Sequence, residues 1–465
     1  MMPPFNLKNW SPAVALLLFS PSVWAADTLS KPDNAFVIIC AALVILMSLP
    51  GLVLFYGGLV RSKNMLSVAM QVFSLFSLIS VLWIVYGYSL AFTEGNAVIG
   101  GFSKIFLQGV TADSLAATFS KGIFISELTY VVFQGAFAAI TCCLIVGSFA
   151  ERARFGAVLV FSVIWFTLAY LPSAHMVWYW AGPDAYVNEA AAKLANASAG
   201  FLFQDGALDF AGGTVVHINS AVAALIGAYF VGQRVGYGKE AMQPHSVTLT
   251  LVGTALLLFG WFGFNAGSAL EANGVAAFAL LNTWAAASAS ASGLVWLAME
   301  WRIKGKPSVL GLATGLISGL VVITPACGFV GVGGALAMGF LGGALCWWGV
   351  HGLKRLLKAD DSLDVFGIHG VGGIVGALLV AVFASPSLGG SGIWDYVANA
   401  SSPNYSILGQ LWIQIIGIII TVTWSALVAL FAFWVADKTI GLRVDKDSER
   451  EGLDLSSHGE VAYNH

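Results

Sequence analysis

The sequence predicts an all-α integral membrane protein of eleven transmembrane helices, N-terminus outside and C-terminus inside. Three observations carry that prediction. The 465-residue chain is 58% hydrophobic and only 10% charged, with a mean hydropathy of +0.84, where a soluble chain carries roughly 25% charged residues. Apolar stretches long enough to cross a bilayer recur along its length. Cationic residues are concentrated in alternate connections, as the positive-inside rule requires. A net charge of −3 without any basic block argues against a nucleic-acid partner.

The N-terminus reads as a cleavable secretory signal over residues 1–25. It has Lys8, a short apolar core from Ala13 to Phe19 and small residues ending at Ala25 and Ala26. Cleavage after Ala25 satisfies the small-residue rule. An uncleaved first helix is the alternative, against which the core is too short to span. The predicted spans follow near 34–57, 64–92, 123–149, 155–180, 208–231, 247–267, 274–301, 308–326, 329–350, 365–386 and 408–437. Only the turn Thr324-Pro325-Ala326-Cys327-Gly328 separates the eighth from the ninth. Residues 26–438 thus form a transmembrane domain and 439–465 an inner, polar tail. With the N-terminus outside, the inner connections and tail hold sixteen Lys and Arg, among them Arg61, Arg152, Arg234, Lys354 and Arg443, and the outer side four, Lys31, Lys104, Lys121 and Lys193. An odd number of crossings is the arrangement that fits.

Glycine is abundant, 53 residues, and small residues let membrane helices approach closely. Gly311, Gly315 and Gly319 lie along one helix face and suit that role. The five cysteines (Cys40, Cys142, Cys143, Cys327, Cys346) form no CxxC pair and read as small buried hydrophobes.

A faint internal repeat aligns His217 with His369. Leu52 to Gly58 loosely echoes Leu256 to Trp261. Five helices per half place the halves in opposite orientations, a 5+5 inverted repeat plus a final helix, with the working site near the midplane. Counted from the predicted starts at 1.5 Å per residue, His217 lies roughly 12 Å and His369 roughly 8 Å inside its helix.

These two histidines are the strongest functional clue. Each stands in a long apolar run and follows an acid at its mouth, Asp209 before His217 and Asp364 before His369. An ionisable group at membrane depth is expensive and faces a cavity or another helix. A neutral imidazole offers one donor and one acceptor, so a pair orients a small polar molecule or passes a proton. The alternatives are helix-gluing histidines satisfied by backbone and bis-imidazole haem ligation, for which no other haem feature speaks. Asp209 at a helix start suits an N-cap, a cation-attracting group, or both.

Aromatic residues cluster near the predicted outer helix ends: Phe133 with Phe137, Trp178 with Trp180, and Trp261 with Phe264. Interfacial belts account for most of the sixteen Trp, yet an aromatic face also attracts a bare cation by about 0.5–2 kcal/mol. Ser268 adds a hydroxyl acceptor.

Asp209-Phe210-Ala211-Gly212-Gly213-Thr214-Val215-Val216-His217 resembles the signature of the ammonium transporter (Amt) family, relatives of the Rh proteins. Pro50 to Gly58, Gly260 to Ser268, Thr324 to Gly328 and Asp364 to Gly370 also match, so the resemblance runs from about residue 33 to the C-terminus. It implies trimers of eleven-helix protomers, each with its own pore, in a bacterial inner (plasma) membrane. It also implies transport of ammonium, with methylammonium as analogue. Carried over residue by residue, Trp178, Phe137 and Ser268, with Phe133 nearby, would form the external recruitment site. Phe137 and Phe264 would be stacked gate rings, and His217 and His369 the paired pore histidines. Asp209 would be the structural and deprotonation-linked carboxylate, and Trp261 a pore-wall residue. The segment from Trp178 to Gly206 is longer than the family's usual one, which bears on the outer vestibule. The tail from Glu449 to Asp454, with Ser457 to Glu460, resembles the bacterial family's regulatory C-terminus and implies a trimeric PII-type partner; by itself it reads as a polar, disordered end.

Two other classes remain as contrasts. A sensor would need an output domain, and about 28 residues follow the last predicted helix, few for a kinase or cyclase. An enzyme would need a nucleophile–base pair, a metal-ligand cluster or a nucleotide loop, and none emerges. The sequence therefore predicts a non-enzyme without cofactor or metal.

Overall fold

In a computed structural model, residues 28–288 and 291–463 are described; the expected signal segment lies outside them. The chain is built of packed apolar helices. Among the described residues nine are long and apolar enough to cross a membrane: α1 (Lys31–Leu59), α2 (Ser62–Phe92), α3 (Glu127–Phe149), α4 (Phe155–Trp178), α6 (Gly213–Val231), α7 (Val247–Gly267), α11 (Val332–Leu357), α12 (Phe366–Phe383) and α13 (Ile407–Thr439). The predicted seventh span is described as two pieces, α8 (Gly274–Ala286) and α9 (Ser292–Lys304), and the eighth as α10 (Val309–Ile323). Two short hairpin pairs, Leu115–Ala117 with Phe124–Ser126 and Trp394–Asp395 with Ala400–Ser401, decorate the loops. The segment after Trp178 carries a further short helix, α5 (Glu189–Ser198), whose Asn188 cap accepts from the Ala191 amide at 3.0 Å.

The connections gather at two ends. Loops 93–126, 179–212 and 268–273 meet at one, here the loop end. There Ser120 donates to the Glu271 carboxylate at 2.8 and 2.9 Å, Gly122 N to Asp184 at 3.0 Å, and Ala272 N to Asp33 at 2.7 Å. The connections after α1, α3, α6 and α11 meet at the other, the tail end, where the C-terminal segment folds over them as α14 (Lys446–Glu451) and α15 (Leu453–His458). This tail is not a loose end. Asp454 accepts from the first-turn amides of Leu66 and Ser67 at 3.0 and 2.7 Å, and Glu449 accepts from Val235 N at 2.6 Å and pairs with Arg443 at 2.7 Å.

Helix α3 is buried almost along its whole length, whereas α2 and α13 keep broad exposed apolar faces. Around this centre α1 packs on α7, α6 on α3 and α12, and α10 on α12. Backbone-close contact explains much of the glycine. A Cβ on Gly253 would lie 2.2 Å from Phe55 N, so α7 touches α1 only because that side chain is missing. Gly311 and Gly315 seat Glu300 and the Trp296 ring of α9 in the same way.

Among the described residues seven helical stretches widen into π-turns: Met47–Gly51, Trp83–Gly87, Phe166–Tyr170, Gly213–Ile218, Trp284–Ser288, Gly349–Leu353 and Phe366–Gly370. Pro50 explains the first, because proline cannot donate and its ring crowds the preceding turn. The fourth and seventh contain His217 and His369.

At the tail end the inter-helix loops are locked by buried charge. Arg152 is fully buried and spends its guanidinium on the carbonyls of Gly232, Ala150, Ser148 and Asp360 and on Ser362 Oγ, at 2.6–3.2 Å. Arg234 makes a forked pair with Asp360 (2.7 Å) and also reaches Glu151 (3.3 Å), which Arg61 pairs from the far side at 2.8 Å. Burial alone would raise the Asp360 and Glu151 carboxyls; the hydrogen bonds and charges of the arginines outweigh it and hold both below the ordinary carboxylate value. The stability these carboxylates add is therefore present above the unfolded-state value and is lost as pH falls through the lower folded one. Arg234→Ala would strand the buried Asp360 carboxylate, while Glu151 keeps Arg61, and the expected cost is about 3–5 kcal/mol. A drop in thermal midpoint of the detergent-solubilised protein, smaller at acid pH, is the measurement.

Candidate functional site: a paired-imidazole cavity

Helix α6 begins five residues later than hydrophobic periodicity suggests, at Gly213 and not near 208. Asp209 is the reason. Its buried carboxylate accepts from the amides of Gly212, Thr214 and Val215 at 2.8, 2.9 and 3.2 Å, from the Gly213 amide, and from the Thr214 hydroxyl. A helix start inside apolar surroundings has orphan N–H groups that water cannot reach, and one carboxylate satisfies four of them while complementing the positive helix end. Gly212 turns the chain at φ +115°, where a Cβ would also collide with Val216. The His217 amide then donates back to Gly212 O at 3.0 Å, the bond of a π-turn. His217 accordingly sits in the first turn of α6, nearer the helix start than the predicted 12 Å.

The second half differs from the sequence expectation. The acid that caps the helix of His369 is Asp361, not Asp364. Asp361 Oδ2 accepts from Phe366 N at 2.8 Å, whereas Asp364 has a left-handed backbone (φ 59°), is partly exposed and pairs with Lys354 at 2.7 Å. Asp361 precedes His369 by eight residues, as Asp209 precedes His217. The physical reason is reach: a carboxylate closes over a first turn from a residue one loop upstream, not from inside the turn.

The two histidines face each other, Nδ1 to Nδ1, at 3.1 Å, both buried. Only one proton fits between two such nitrogens. In the neutral pair, one imidazole donates through Nδ1 and keeps a bare Nε2; the other accepts at Nδ1 and carries its proton on Nε2. The pair thus offers an acceptor and a donor at its outer edges, and His217 Nε2 has no protein partner. In bis-imidazole haem ligation the two nitrogens lie on opposite sides of the iron, at about 2 Å each and so near 4 Å apart, and the 3.1 Å contact does not suit it.

Both rings line a narrow cavity whose walls are otherwise mostly apolar, with Tyr56, Trp261, Phe264, Leu144 and Leu257 among them. Trp261 stacks beside His217 at 5.5 Å and is fixed by its Nε1 donating to Thr324 Oγ1 at 2.9 Å. Towards the loop end, Phe137 and Phe264 stack at 4.0 Å and 22°. Trp178 meets Phe137 edge-on at 6.1 Å and donates Nε1 to Asp209 O at 2.9 Å. Ser268, half-buried, donates its hydroxyl to Phe264 O at 2.9 Å, which leaves its oxygen lone pairs as acceptors. Phe133 is fully buried, 4.9 Å from Phe137, and backs that ring from behind.

The structure brings Trp178, Phe137, Phe264, Trp261, His217 and His369 into one chain of ring contacts, with Ser268 bonded to Phe264 and Phe133 behind Phe137; Trp180 packs instead against Phe119, Phe203 and Tyr396, and Asp364 pairs with Lys354. Sequence reasoning missed Asp361, Thr324 and Tyr56. For Asp361 the signal was present in the repeated eight-residue spacing. Tyr56 and Thr324 stand in motifs with no pattern to single them out.

A model of the Ammonium Transporter Family matches residues 35–463. An ammonium transporter of Bacillus subtilis (strain 168) is 43% identical over 431 residues, covering 93% of this chain and 98% of the relative. Ammonium transporter Amt1 of Archaeoglobus fulgidus is 40% identical over 438 residues, 94% and 100% of the two chains. Among solved structures, a sensor Amt protein superposes with a TM-score of 0.79 at 28% identity, over 92% of this chain and 98% of its own. Saccharomyces cerevisiae Mep2 superposes with 0.76 at 32%, over 90% and 88%.

Asp209→Ala would leave four buried amides unsatisfied at the start of α6, and about 3 kcal/mol or more of stability should be lost. Asp209→Asn, which keeps one acceptor oxygen, should lose less. Thermal unfolding in detergent ranks the two variants, and equal midpoints would show that the cap adds nothing.

Proposed function

Because the chain belongs to the ammonium transporter family, and so is a multi-pass membrane protein that transports ammonium, we propose that its paired-imidazole cavity is the conducting pore and that ammonium crosses it as ammonia plus a separately carried proton. The observation that carries this reading is the 3.1 Å contact between His217 and His369 on the wall of an apolar cavity.

Energetics favour splitting the ion. An aromatic vestibule attracts a cation by about 0.5–2 kcal/mol, while a charge at membrane depth costs about 2.5–3.5 kcal/mol or more. Attraction at the mouth therefore does not carry an intact cation through the lumen. Loss of a proton at the gate removes the cost. It also excludes potassium, which is similar in size but has no proton to give. In this reading Trp178, Ser268, Phe137 and Phe133 form the recruitment site at the loop end, and the stacked Phe137 and Phe264 are the gate where the ion is deprotonated. Ammonia passes the histidines while the imidazole pair relays the proton, and one positive charge moves in total. Asp209, with its lone pairs taken up by five donors, acts by holding the first turn of α6 in place and by its charge. Trp261 is pore wall.

The architecture we infer is eleven passes, loop end outside and tail end inside, in a 5+5 inverted repeat plus a final helix. The packing supports it: α1 on α7 and α6 on α12 meet centrally, α3 on α6 recurs as α10 on α12, and α2 on α3 recurs as α9 on α10. The π-turns at Trp83–Gly87, Phe166–Tyr170 and Gly213–Ile218 recur at Trp284–Ser288, Gly349–Leu353 and Phe366–Gly370. The exposed apolar faces suit lipid and neighbouring protomers of a homotrimer in a bacterial inner membrane. The ordered tail, anchored on α2 and on the loop after α6, suits docking of a cytosolic PII-type signalling protein. No enzymatic step, cofactor, metal or nucleic acid enters this account.

Replacement of both His217 and His369 by leucine tests the relay. Ammonium-evoked current on a solid-supported membrane should fall by about 100-fold or more, the usual cost of losing a positioned proton-transfer group. Undiminished ammonium current defeats the relay, and uncharged uptake of methylammonium by the unmodified protein would point to net ammonia conduction.

A further inference from the structure

We propose that a second cavity, on the tail side of His369, is a binding site for a small monovalent cation that donates N–H bonds, held by the free Oδ1 of Asp361. The inference deepens the transport reading and rests on it: the natural occupant is ammonium at the inner mouth of the pore.

The cavity is small and is lined by Asp361, Lys354, Phe366, Gly367, Leu225 and Leu357 among others. The free space has room for about one water-sized species, so a bare ammonium ion, close to water in size, is the scale of occupant that fits. Asp361 is 3% exposed. Its Oδ2 accepts from Phe366 N, but Oδ1 is buried without any hydrogen-bond partner. A carboxylate oxygen left bare in the interior is costly and is the exception among native groups. The contrast with Asp209 is direct. That residue, at the same eight-residue distance from its histidine, has all its acceptor capacity filled by its own helix start, while Asp361 keeps one oxygen open beside a void.

Charge and position agree. Lys354 Nζ is committed to Asp364 at 2.7 Å, so the site holds two carboxylates against one ammonium group and lacks one positive charge. From α1, Tyr56 lies within electrostatic reach of Asp361, but its hydroxyl donates to Leu144 O at 3.0 Å. Tyr56 lines the cavity of the histidine pair, and Phe366 and Gly367, in the same π-turn as His369, line the second. Burial pushes the Asp361 carboxyl up to about 6, with Lys354 opposing and Asp364 adding to the rise. The carboxylate is thus mostly ionised at pH 7 and becomes neutral in acid.

Labelled methylammonium flux in vesicles of both orientations, sidedness assigned by protease access to the tail, tests the site. Asp361→Asn preserves an acceptor for Phe366 N and removes the charge. The half-saturating concentration from the tail side should rise by about tenfold, the loss expected of one charge-assisted hydrogen bond, and that from the loop side by much less. Lys354→Met, which leaves Asp361 in place, should shift the tail-side value the opposite way. In the unmodified protein the tail-side value should rise below about pH 6 more than the loop-side value. An unchanged tail-side value in Asp361→Asn, or equal shifts on both sides in all three comparisons, would show Asp361 to be a helix cap and nothing more. Loss of the histidine relay, read by current in the double-leucine variant, is a separate outcome and leaves this comparison intact.

Discussion

A helix that starts inside an apolar interior must find acceptors for its first N–H groups without water, and the site is organised around how two helices do so. Both α6 and α12 begin beside the cavity, and each is closed by a carboxylate from the loop before it. Asp209 binds four amides and a hydroxyl at the start of α6; Asp361 binds Phe366 N at the start of α12. Because the caps fix where each helix begins, they fix the depth and direction of the imidazole one turn further on. The Nδ1–Nδ1 contact at 3.1 Å follows from two independently capped first turns meeting face to face.

The same two turns are wound wider than an α-helix. A π-turn leaves a local break in the i to i−4 ladder, and such breaks concentrate at functional sites. Here the widening lets His217 bond through its amide to Gly212 while its ring leans across to His369. Glycine supplies the rest: Gly212 turns at positive φ, and Gly373 leaves room for Ile218 and the His217 Cβ where α12 crosses α6. Packing, hydrogen bonding and ring placement therefore depend on one another, and a change in one cap propagates to the wall of the histidine cavity.

Polar groups are placed by the same economy at both ends. At the tail end, Arg152 and Arg234 bind loops that belong to different helices, and the C-terminal segment adds Asp454 as a cap on α2. The tail is thus continuous with the helix framework. Between these ends the column from Trp178 through Phe137 and Phe264 to the histidines is apolar apart from two imidazoles and a few ring N–H and hydroxyl groups. A column of this composition is costly for a bare cation, which is the physical ground of the proposed deprotonation.

Much of this was legible in the chain itself. Apolar runs and charge-biased connections determined a helical membrane protein, and two isolated histidines and clustered aromatics singled out candidate site residues, because hydropathy and charge act locally and leave a pattern in sequence order. The motif around Asp209 and His217 carried the family. Only the tertiary structure decided which acid serves each histidine, that Phe133 stands behind Phe137, and that the polar tail is folded. Those outcomes depend on which amides a carboxylate can reach and which surfaces touch across hundreds of residues. Asp364 stands nearer His369 in sequence, yet Asp361 closes the turn, since distance along the chain does not measure distance in the fold.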